Sequence, residues 1–589
     1  MTDTHPGAGA PSLARRPWIV ALALALLGLA LYLPRLGESG LWDPWEPRYA
    51  QAAREMAASD DWVVPRYREG PRLNRPPLTY WLIGAAQAVL GIDEAAARLP
   101  SALLAVLGAA GLGLALAARG RPLEGFMAGA ALLTSPQWLL LGRFATPALP
   151  LAAFLGMALA LAVGWPAAEA VRARRLAFVL LVLLVAAAGM TDWPRGLLLP
   201  LWAVLGWGAL RWGSRGSAAL VAVAGIYHAA QLRYDVMLNL AAAALALALA
   251  ALVLRLHGRV RLPVLFAGAG LVVLLVAPWF LVAQPRAPEE WSLYEYKYAF
   301  NLGESEHRHT GPYDHVVRLA AVGGMPWSAL AVIGLVAGLR RRRDESACIL
   351  AGAALGVLLF FTLSEARMGY FYVVAQPAIA GLAGIGAVAL MRKLDLSAVP
   401  AALALAGTVW ILWRAPARLL ETATIKFGLF EVDLFVPAVG TALAWLLALA
   451  AAKIRGREPW VVASIIPPLL LAAMLGLSVV PRLSPFKSAK PMWELYMARR
   501  GADERIGMAG GSLDSAYYYS DNSIVRLDSP EKIRDFVSGG GVSFVIGPLE
   551  AMQPSMQEIG GQWETVDLSH PTHRLYRFSP VPTPSLDQP

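Results

Sequence analysis

Apolar runs separated by short polar segments recur along most of the 589-residue chain. Many approach the roughly 20 residues that a helix needs to cross a bilayer, with charges confined to their ends. The pattern predicts roughly thirteen to fifteen spans. A polar N-terminus, residues 1–16, ends in Arg15 and Arg16 and precedes the run Pro17 to Leu33, which reads as an uncleaved signal anchor. The run Leu78 to Leu90 has thirteen residues, too few to cross, and is expected to be interfacial or re-entrant. The last span is expected to end near Val480. Beyond it the alternation Ser543-Phe544-Val545-Ile546 and the helix-like stretch Pro530 to Ser538 predict a small soluble α/β domain over residues 481–589. The expected fold class is an α-helical polytopic membrane protein, with a transmembrane domain over residues 17–480 and that C-terminal domain.

Arg and Lys stay on the cytoplasmic side of membrane loops, so their clusters set the orientation. They occur at Arg119 and Arg121, Arg172 to Arg175, Arg211 and Arg215, Arg255 to Arg261, Arg340 to Arg343, Arg392 and Lys393, and Lys453 to Arg457. Two spans fit between each neighbouring pair. The N-terminus is then cytoplasmic in a bacterial inner membrane. The intervening loops face outward, among them residues 36–98 and 285–315, and the C-terminal domain is periplasmic.

Composition removes several classes of function. The chain is 57% hydrophobic and 16% charged, which excludes a soluble globular protein and makes the bilayer its surroundings. Its formal charge of +10 is scattered between apolar runs and builds no basic face for nucleic acid. The single cysteine, Cys348, permits neither a disulfide nor a cysteine-based metal site.

Unusual polar chemistry gathers in the outward loops. In Leu41-Trp42-Asp43-Pro44-Trp45-Glu46-Pro47-Arg48-Tyr49, Glu46 and Arg48 stand at a proline-rich helix start, and Asp43 lies just upstream. A carboxylate beside arginine can activate an acceptor or bind a cation. The alternative is an amphipathic interfacial helix whose charges are simply solvated. Arg75, beside the rigid Pro76-Pro77 and ahead of Tyr80, can hold a phosphate at the lipid surface or snorkel toward headgroups. In the third loop Glu306, His307 and His309 form a candidate divalent-metal site, although the two histidines lack the helical spacing of a zinc motif. No other cofactor is expected. Arg367, followed by Tyr372, is a second candidate for a lipid phosphate.

Taken together, these loops resemble the polytopic glycosyltransferases that use polyprenyl-phosphate sugars, the class containing lipid A aminoarabinose transferase and the protein O-mannosyltransferases. Glu46 to Met56 with Asp61-Trp62 is similar to that family's first outward loop, and Arg75-Pro76-Pro77 with Tyr80-Trp81 to its Lys-Pro-Pro motif. Thr191 to Gly196, Pro326-Trp327-Ser328 and Arg367 with Tyr372 resemble further family segments. The resemblance implies a GT-C fold, an outward cavity, and inverting attack of an envelope acceptor (lipid, glycan or protein) on a polyprenyl-phosphate sugar donor. It implies that Arg48, Arg75 and Arg367, with Tyr49, Tyr80 and Tyr372, hold the lipid phosphate, and that Glu46 or Asp43 is the acid.

The chain departs from the family where acids are usual. Trp45 stands before Glu46 in place of Asp, Asn74 before Arg75 in place of Glu, and Ala148 near another usual Asp. Asp192, where the family has a basic residue, is a carboxylate that can partly compensate. Two other classes stay open: a non-catalytic relative that binds lipid-linked glycan, and a secondary transporter. A transporter would place ionisable groups within spans near the midplane, whereas here they crowd the loops of one side.

Overall fold

The computed structural model describes residues 16–68, 70–165, 171–233, 236–256, 262–293, 315–340, 344–364, 371–392, 465–501, 503–511, 513–539, 541–559 and 561–580. Helix α1 (Pro17–Tyr32) starts on a proline, whose missing N–H costs nothing in a first turn. The first loop then folds as α2 (Trp45–Ser59), a short ribbon of β1 (Arg66–Tyr67) and β2 (Gly70–Pro71), and α3 (Leu78–Leu90). The long α4 (Glu94–Ala118) returns across the bundle, its first turn capped by Asp93 Oδ1, which accepts from the Ala96 amide at 2.7 Å. There follow α5 (Pro122–Thr134), α6 (Pro136–Gly142), α7 (Ala148–Gly164), α8 (Val171–Thr191), α9 (Arg195–Trp212) and α10 (Ser214–Arg233). The rest of the described bundle comprises α11 (Val236–Leu256), α12 (Leu262–Arg286), α13 (Pro288–Leu293), α14 (His315–Gly323), α15 (Ser328–Arg340), α16 (Glu345–Leu363) and α17 (Gln376–Arg392).

Among the described residues six helices are long and apolar enough to cross a membrane, and a seventh crossing arises if α14 and α15, bent by 106° at their break, form one span. That is fewer than the apolar runs suggested. Prolines punctuate several of those runs, and α1, α3 and α7 are shorter apolar helices. Of the expected crossings, those between Arg392 and Lys453 lie outside the described residues. The last span, Pro468–Phe486, continues six residues beyond the expected end at Val480.

Lipid tails are as apolar as leucine, so helices in a membrane gain little by hiding side chains and much by close backbone contact. Small residues supply that contact here. A side chain added at Gly356 of α16 would meet the Trp202 carbonyl of α9, and one at Gly334 of α15 would meet the Leu382 carbonyl of α17. Two buried tryptophans fill wider gaps with their N–H groups satisfied. Trp327 Nε1 donates to Thr134 Oγ1 at 2.8 Å, and Trp138 Nε1 donates to the Ala105 carbonyl at 3.2 Å. At the far end of α4, Arg121 Nη1 donates to both oxygens of Asp344 at 3.0 Å, which draws two of the basic-cluster loops together on one face.

The C-terminal domain is built on one five-stranded sheet of β3 (Arg505–Ala509), β4 (Val525–Leu527), β5 (Ser543–Gly547), β6 (Gln562–Asp567) and β7 (Arg574–Ser579), in the order β4-β3-β5-β7-β6. The first three strands are parallel, with Gly507 beside Val525 and Val545, while β7 and β6 run antiparallel. Ile506, Met508, Phe544 and Ile546 pack on one face against Met492, Tyr496 and Tyr517, and Val545 and Tyr576 pack on the other against Ile533, Phe536 and Met552. β5, expected as an alternating strand, is instead buried along its whole length, because both faces of the sheet are covered. The helix Asp514–Tyr519, which follows β3, lies directly against α2, so the first loop and the C-terminal domain occupy the same side of the membrane.

Replacing Gly356 by leucine should force α9 and α16 apart. A loss of about 1–3 kcal/mol is expected from overpacking, measured as a lower unfolding temperature of the detergent-solubilised protein.

Candidate active site

The site begins with a buried ion pair. Arg98, one turn into α4, is 1% exposed, and Glu46, in the first turn of α2, is equally buried. Arg98 Nε donates to Glu46 Oε1 at 2.8 Å and Nη2 donates to Oε2 at 2.7 Å, a bidentate fit of two planar groups. The remaining Arg98 donors reach the carbonyls of Leu36, Ser39 and Gly40 and the Ser39 hydroxyl. Glu46 in turn accepts from the amides of Ala145 and Trp42, both at 2.9 Å. These contacts occupy both of its oxygens. Glu46 thus has the surroundings of a structural tie between α2, α4 and the turn before α7, rather than those of a carboxylate open to an acceptor.

Around this tie the C-terminal domain clamps onto the first loop. Asp514, 1% exposed, accepts from Arg48 Nε at 2.8 Å through Oδ2 and from the Tyr67 hydroxyl, in a very short contact, through Oδ1. Ser515 donates its amide to Asp43 Oδ1 at 2.8 Å, and its hydroxyl lies against Oδ2 of the same carboxyl. Further along, Asn522 donates to Glu55 at 2.8 Å, Arg54 pairs with Asp521 at 2.7 Å, and Arg68 lies 3.4 Å from the Tyr517 ring centroid. Burial pushes the Asp43 carboxyl up to about 7; its bonds from Ser515 oppose the shift and the charge of Asp514 adds to it. Burial and the adjoining Asp514 charge also raise the Tyr67 phenol, which therefore stays protonated as a donor.

A second group gathers around Tyr80, beside Tyr49. The Tyr49 and Tyr80 rings are 5.4 Å apart, and the Tyr80 hydroxyl donates to Asn74 Oδ1 at 2.6 Å. Arg75, 7% exposed, donates from Nη1 to the Asn74 carbonyl at 3.0 Å, and its Nε stands 3.7 Å from Asp192 Oδ2. Asp192, 2% exposed, accepts from Arg195 Nη1 at 2.8 Å. The carboxylate is therefore flanked by two guanidiniums and orients them. Arg72 joins the two groups, lying 5.2 Å from the Tyr67 ring centroid and within electrostatic reach of Tyr80. Seven arginines (Arg48, Arg54, Arg68, Arg72, Arg75, Arg98 and Arg195) face six carboxyls (Asp43, Glu46, Glu55, Asp192, Asp514 and Asp521), so the assembly keeps a slight excess of positive charge suited to an anionic group.

Of the residues singled out from sequence, the fold thus gathers Asp43, Arg48, Tyr49, Arg75, Tyr80 and Asp192 near one surface, with Glu46 buried beneath. Tyr372 packs apart from them, 5.7 Å from the Phe361 ring in the main membrane core. Glu306, His307, His309 and Arg367 lie outside the described residues, and among the described residues no three His, Cys, Asp or Glu side chains converge as metal ligands would. Sequence reasoning missed Arg98, Arg195, Tyr67 and Asp514. Only Asp514 carried a usable signal, because it follows a parallel strand, at the edge where α/β sheets place their functional residues. Within the bundle, an apolar cavity of about 320 Å³ lies between α7, α8, α9, α11, α12 and α16, walled by Leu159, Phe178, Leu201, Trp207, Leu254 and Val357 among others. Such walls suit a hydrocarbon chain and offer nothing to a sugar or a phosphate.

Residues 18–294 match the model of the dolichyl-phosphate-mannose-protein mannosyltransferase (PMT) family. Relatives extend the likeness beyond it. The undecaprenyl phosphate-α-4-amino-4-deoxy-L-arabinose arabinosyl transferase of Pseudomonas paraeruginosa is 28% identical, the match covering 84% of this chain and 82% of that one. Its counterpart in Pseudomonas aeruginosa strain LESB58 is 27% identical over 83% and 82%. The crystal structure of ArnT from Cupriavidus metallidurans bound to undecaprenyl phosphate superposes with a TM-score of 0.66 at 19% identity, covering 97% of this chain and 99% of that one. The apo form of the same protein gives 0.65. The helical bundle and the C-terminal sheet domain thus share the ArnT fold along nearly the whole chain. The resemblance to glycosyltransferases that use polyprenyl-phosphate sugars is met in these relatives.

Two measurements probe this geometry. Arg98→Ala strips Glu46 of its partner while leaving its charge buried, so a loss of about 3–5 kcal/mol is expected, read as reduced yield and unfolding temperature in detergent. For Asp43 the sign follows from its raised proton affinity. Free of the clamp it ionises near 3.8 and within the clamp near 7, so clamping takes up a proton. The contribution is complete below the lower value and lost as pH rises through the upper one. Hydrogen exchange in residues 513–522 should accordingly quicken between pH 5 and pH 8 in the wild type, and Asp43→Asn should flatten that dependence.

Proposed function

We propose that the chain is a membrane glycosyltransferase that moves a pentosyl or hexosyl unit from a polyprenyl-phosphate carrier to an envelope acceptor, a lipid A-like lipid, a glycan or a protein. The observation that carries this reading is the buried Arg75 beside Asp192 and Arg195, a guanidinium oriented before any ligand arrives, in an assembly with surplus positive charge. A leaving phosphate needs positive charge where negative charge develops, and preorganised donors in a site of low dielectric supply it. The names of the relatives support the carrier, undecaprenyl phosphate, and a lipid A acceptor is in keeping with them.

In the reaction an acceptor hydroxyl attacks the anomeric carbon as the bond to the phosphate oxygen breaks. The bonding electrons leave with the polyprenyl phosphate, the configuration inverts, and the hydroxyl proton passes to a base. Of Asp43, Glu46 and Asp192, the last two are committed to arginine partners. Asp43 is held by Ser515 instead, and burial raises its proton affinity to near neutrality, which suits a base. The basic clusters near the opposite face, such as the loops joined by Arg121 and Asp344, favour a cytoplasmic N-terminus and a periplasmic active face in the inner membrane. Residues 481–589 are then a periplasmic domain.

A second reading, a relative that binds lipid-linked glycan without transferring it, is favoured by one observation: Glu46 and Asp192 are both tied in ion pairs. Transfer of radiolabelled sugar from polyprenyl-phosphate donors, in membranes carrying the protein, separates the two. Transfer by the wild type is expected, and Arg75→Ala should lower it by about 10²-fold or more. Arg75-dependent binding of undecaprenyl phosphate with no transfer from any donor would sink the enzymatic reading in favour of the second.

A further inference from the structure

The first loop carries Arg48 at the start of α2, yet the acid that grips this arginine comes from 466 residues further along the chain. Trp45 and Asn74 stand where carboxylates would be expected in the loop itself. The grip has a particular form. Asp514 takes Nε, on the flank of the guanidinium, and the two terminal nitrogens donate no hydrogen bond to the described residues. The Arg48 side chain is 25% exposed, whereas the Asp514 side chain is 1% exposed. A guanidinium held by its flank keeps the forked end that matches two oxygens of a phosphate. The second oxygen of Asp514 is spent on the Tyr67 hydroxyl, so one carboxylate fixes an arginine and a phenol side by side. Asp514 cannot drift, because its neighbour Ser515 is bonded to Asp43 through both its amide and its hydroxyl.

We propose that Asp514 is a positioning residue for the transfer reaction: by gripping Arg48 Nε and the Tyr67 hydroxyl it aims the Arg48 fork at the phosphate of the lipid-linked donor. The C-terminal domain is thereby a working part of the donor site. The inference rests on the glycosyltransferase reading above and adds to it the source of the orienting carboxylate. A chain that merely docked its C-terminal domain for stability would need the contacts at Asp521 and Asn522 as much as the one at Asp514. A chain that aims Arg48 needs Asp514 in particular.

The test uses the full-length protein in detergent or nanodiscs, with undecaprenyl phosphate as the binding probe and a polyprenyl-phosphate sugar as the substrate. Asp514→Asn, which keeps the size and loses the charge, is expected to weaken probe binding and raise the donor KM by about tenfold, with a smaller change in kcat. Adding it to Arg48→Ala should cost nothing further, since both act through one guanidinium. The docking control Asp521→Asn with Asn522→Ala should bind the probe and show a donor KM like the wild type. If Asp514→Asn does not fold, Tyr67→Phe serves in its place, because it frees one oxygen of Asp514 and should raise donor KM several-fold. Wild-type affinity and KM in the variant that folds, or an equal loss in the docking control, would overturn the inference while leaving the glycosyltransferase reading intact. A wild-type protein that neither binds the probe nor transfers sugar would overturn both.

Discussion

A guanidinium without water must find a partner for every N–H it owns, and Arg98 does so. Its six hydrogen bonds to Glu46, Leu36, Ser39 and Gly40 dictate the path of the chain from the end of α1 to the start of α2. Removing two charges from water is costly, and only complete satisfaction by excellent geometry offsets it. That demand leaves the loop few alternatives. Once Glu46 is pinned, Arg48 and Tyr49 emerge at fixed angles one residue pair later, and Ala145 is drawn in from the turn before α7. The positions of the site residues on α2 are consequences of a contact in which none of them takes part.

The arginines of this surface fall into two physical kinds. Arg98 and Arg143 spend most of their donors on backbone carbonyls, Arg98 keeping two for Glu46; Arg143 reaches the carbonyls of Leu31, Tyr32 and Pro34, where the α1 dipole presents negative charge. Arg48 and Arg75 are held by carboxylates that orient them. A sequence does not separate the two kinds. Both occur near Pro or Gly in outward loops, and what distinguishes them is the number of carbonyls within reach.

That limit explains what could and could not be read beforehand. Hydropathy exposed the bundle and the soluble C-terminal domain because water and lipid sort side chains strongly. Loop parity placed Arg75 and Asp192 on one side, and the fold brings them within 3.7 Å. Glu46 read as a catalytic acid because an arginine stands two residues away, whereas its partner is Arg98, 52 residues on. The contact of Asp514 with Arg48 had no local trace, since a loop and a distant domain share no periodicity.

The clamp between residues near 43–67 and 514–522 also imposes an order on biosynthesis. Ribosomes deliver a chain from its N-terminus, so the loop between α1 and α4 reaches its side of the membrane long before Asp514 has been translated. Throughout that interval the loop lacks the carboxylate that holds Arg48 and the hydroxyl that meets Asp43. The assembly closes only when the final domain has folded and turned back upon the beginning. A chain abandoned before residue 514 would leave Arg48 and Asp43 without these partners, so the fold of the first loop is completed only by the last part of the polypeptide.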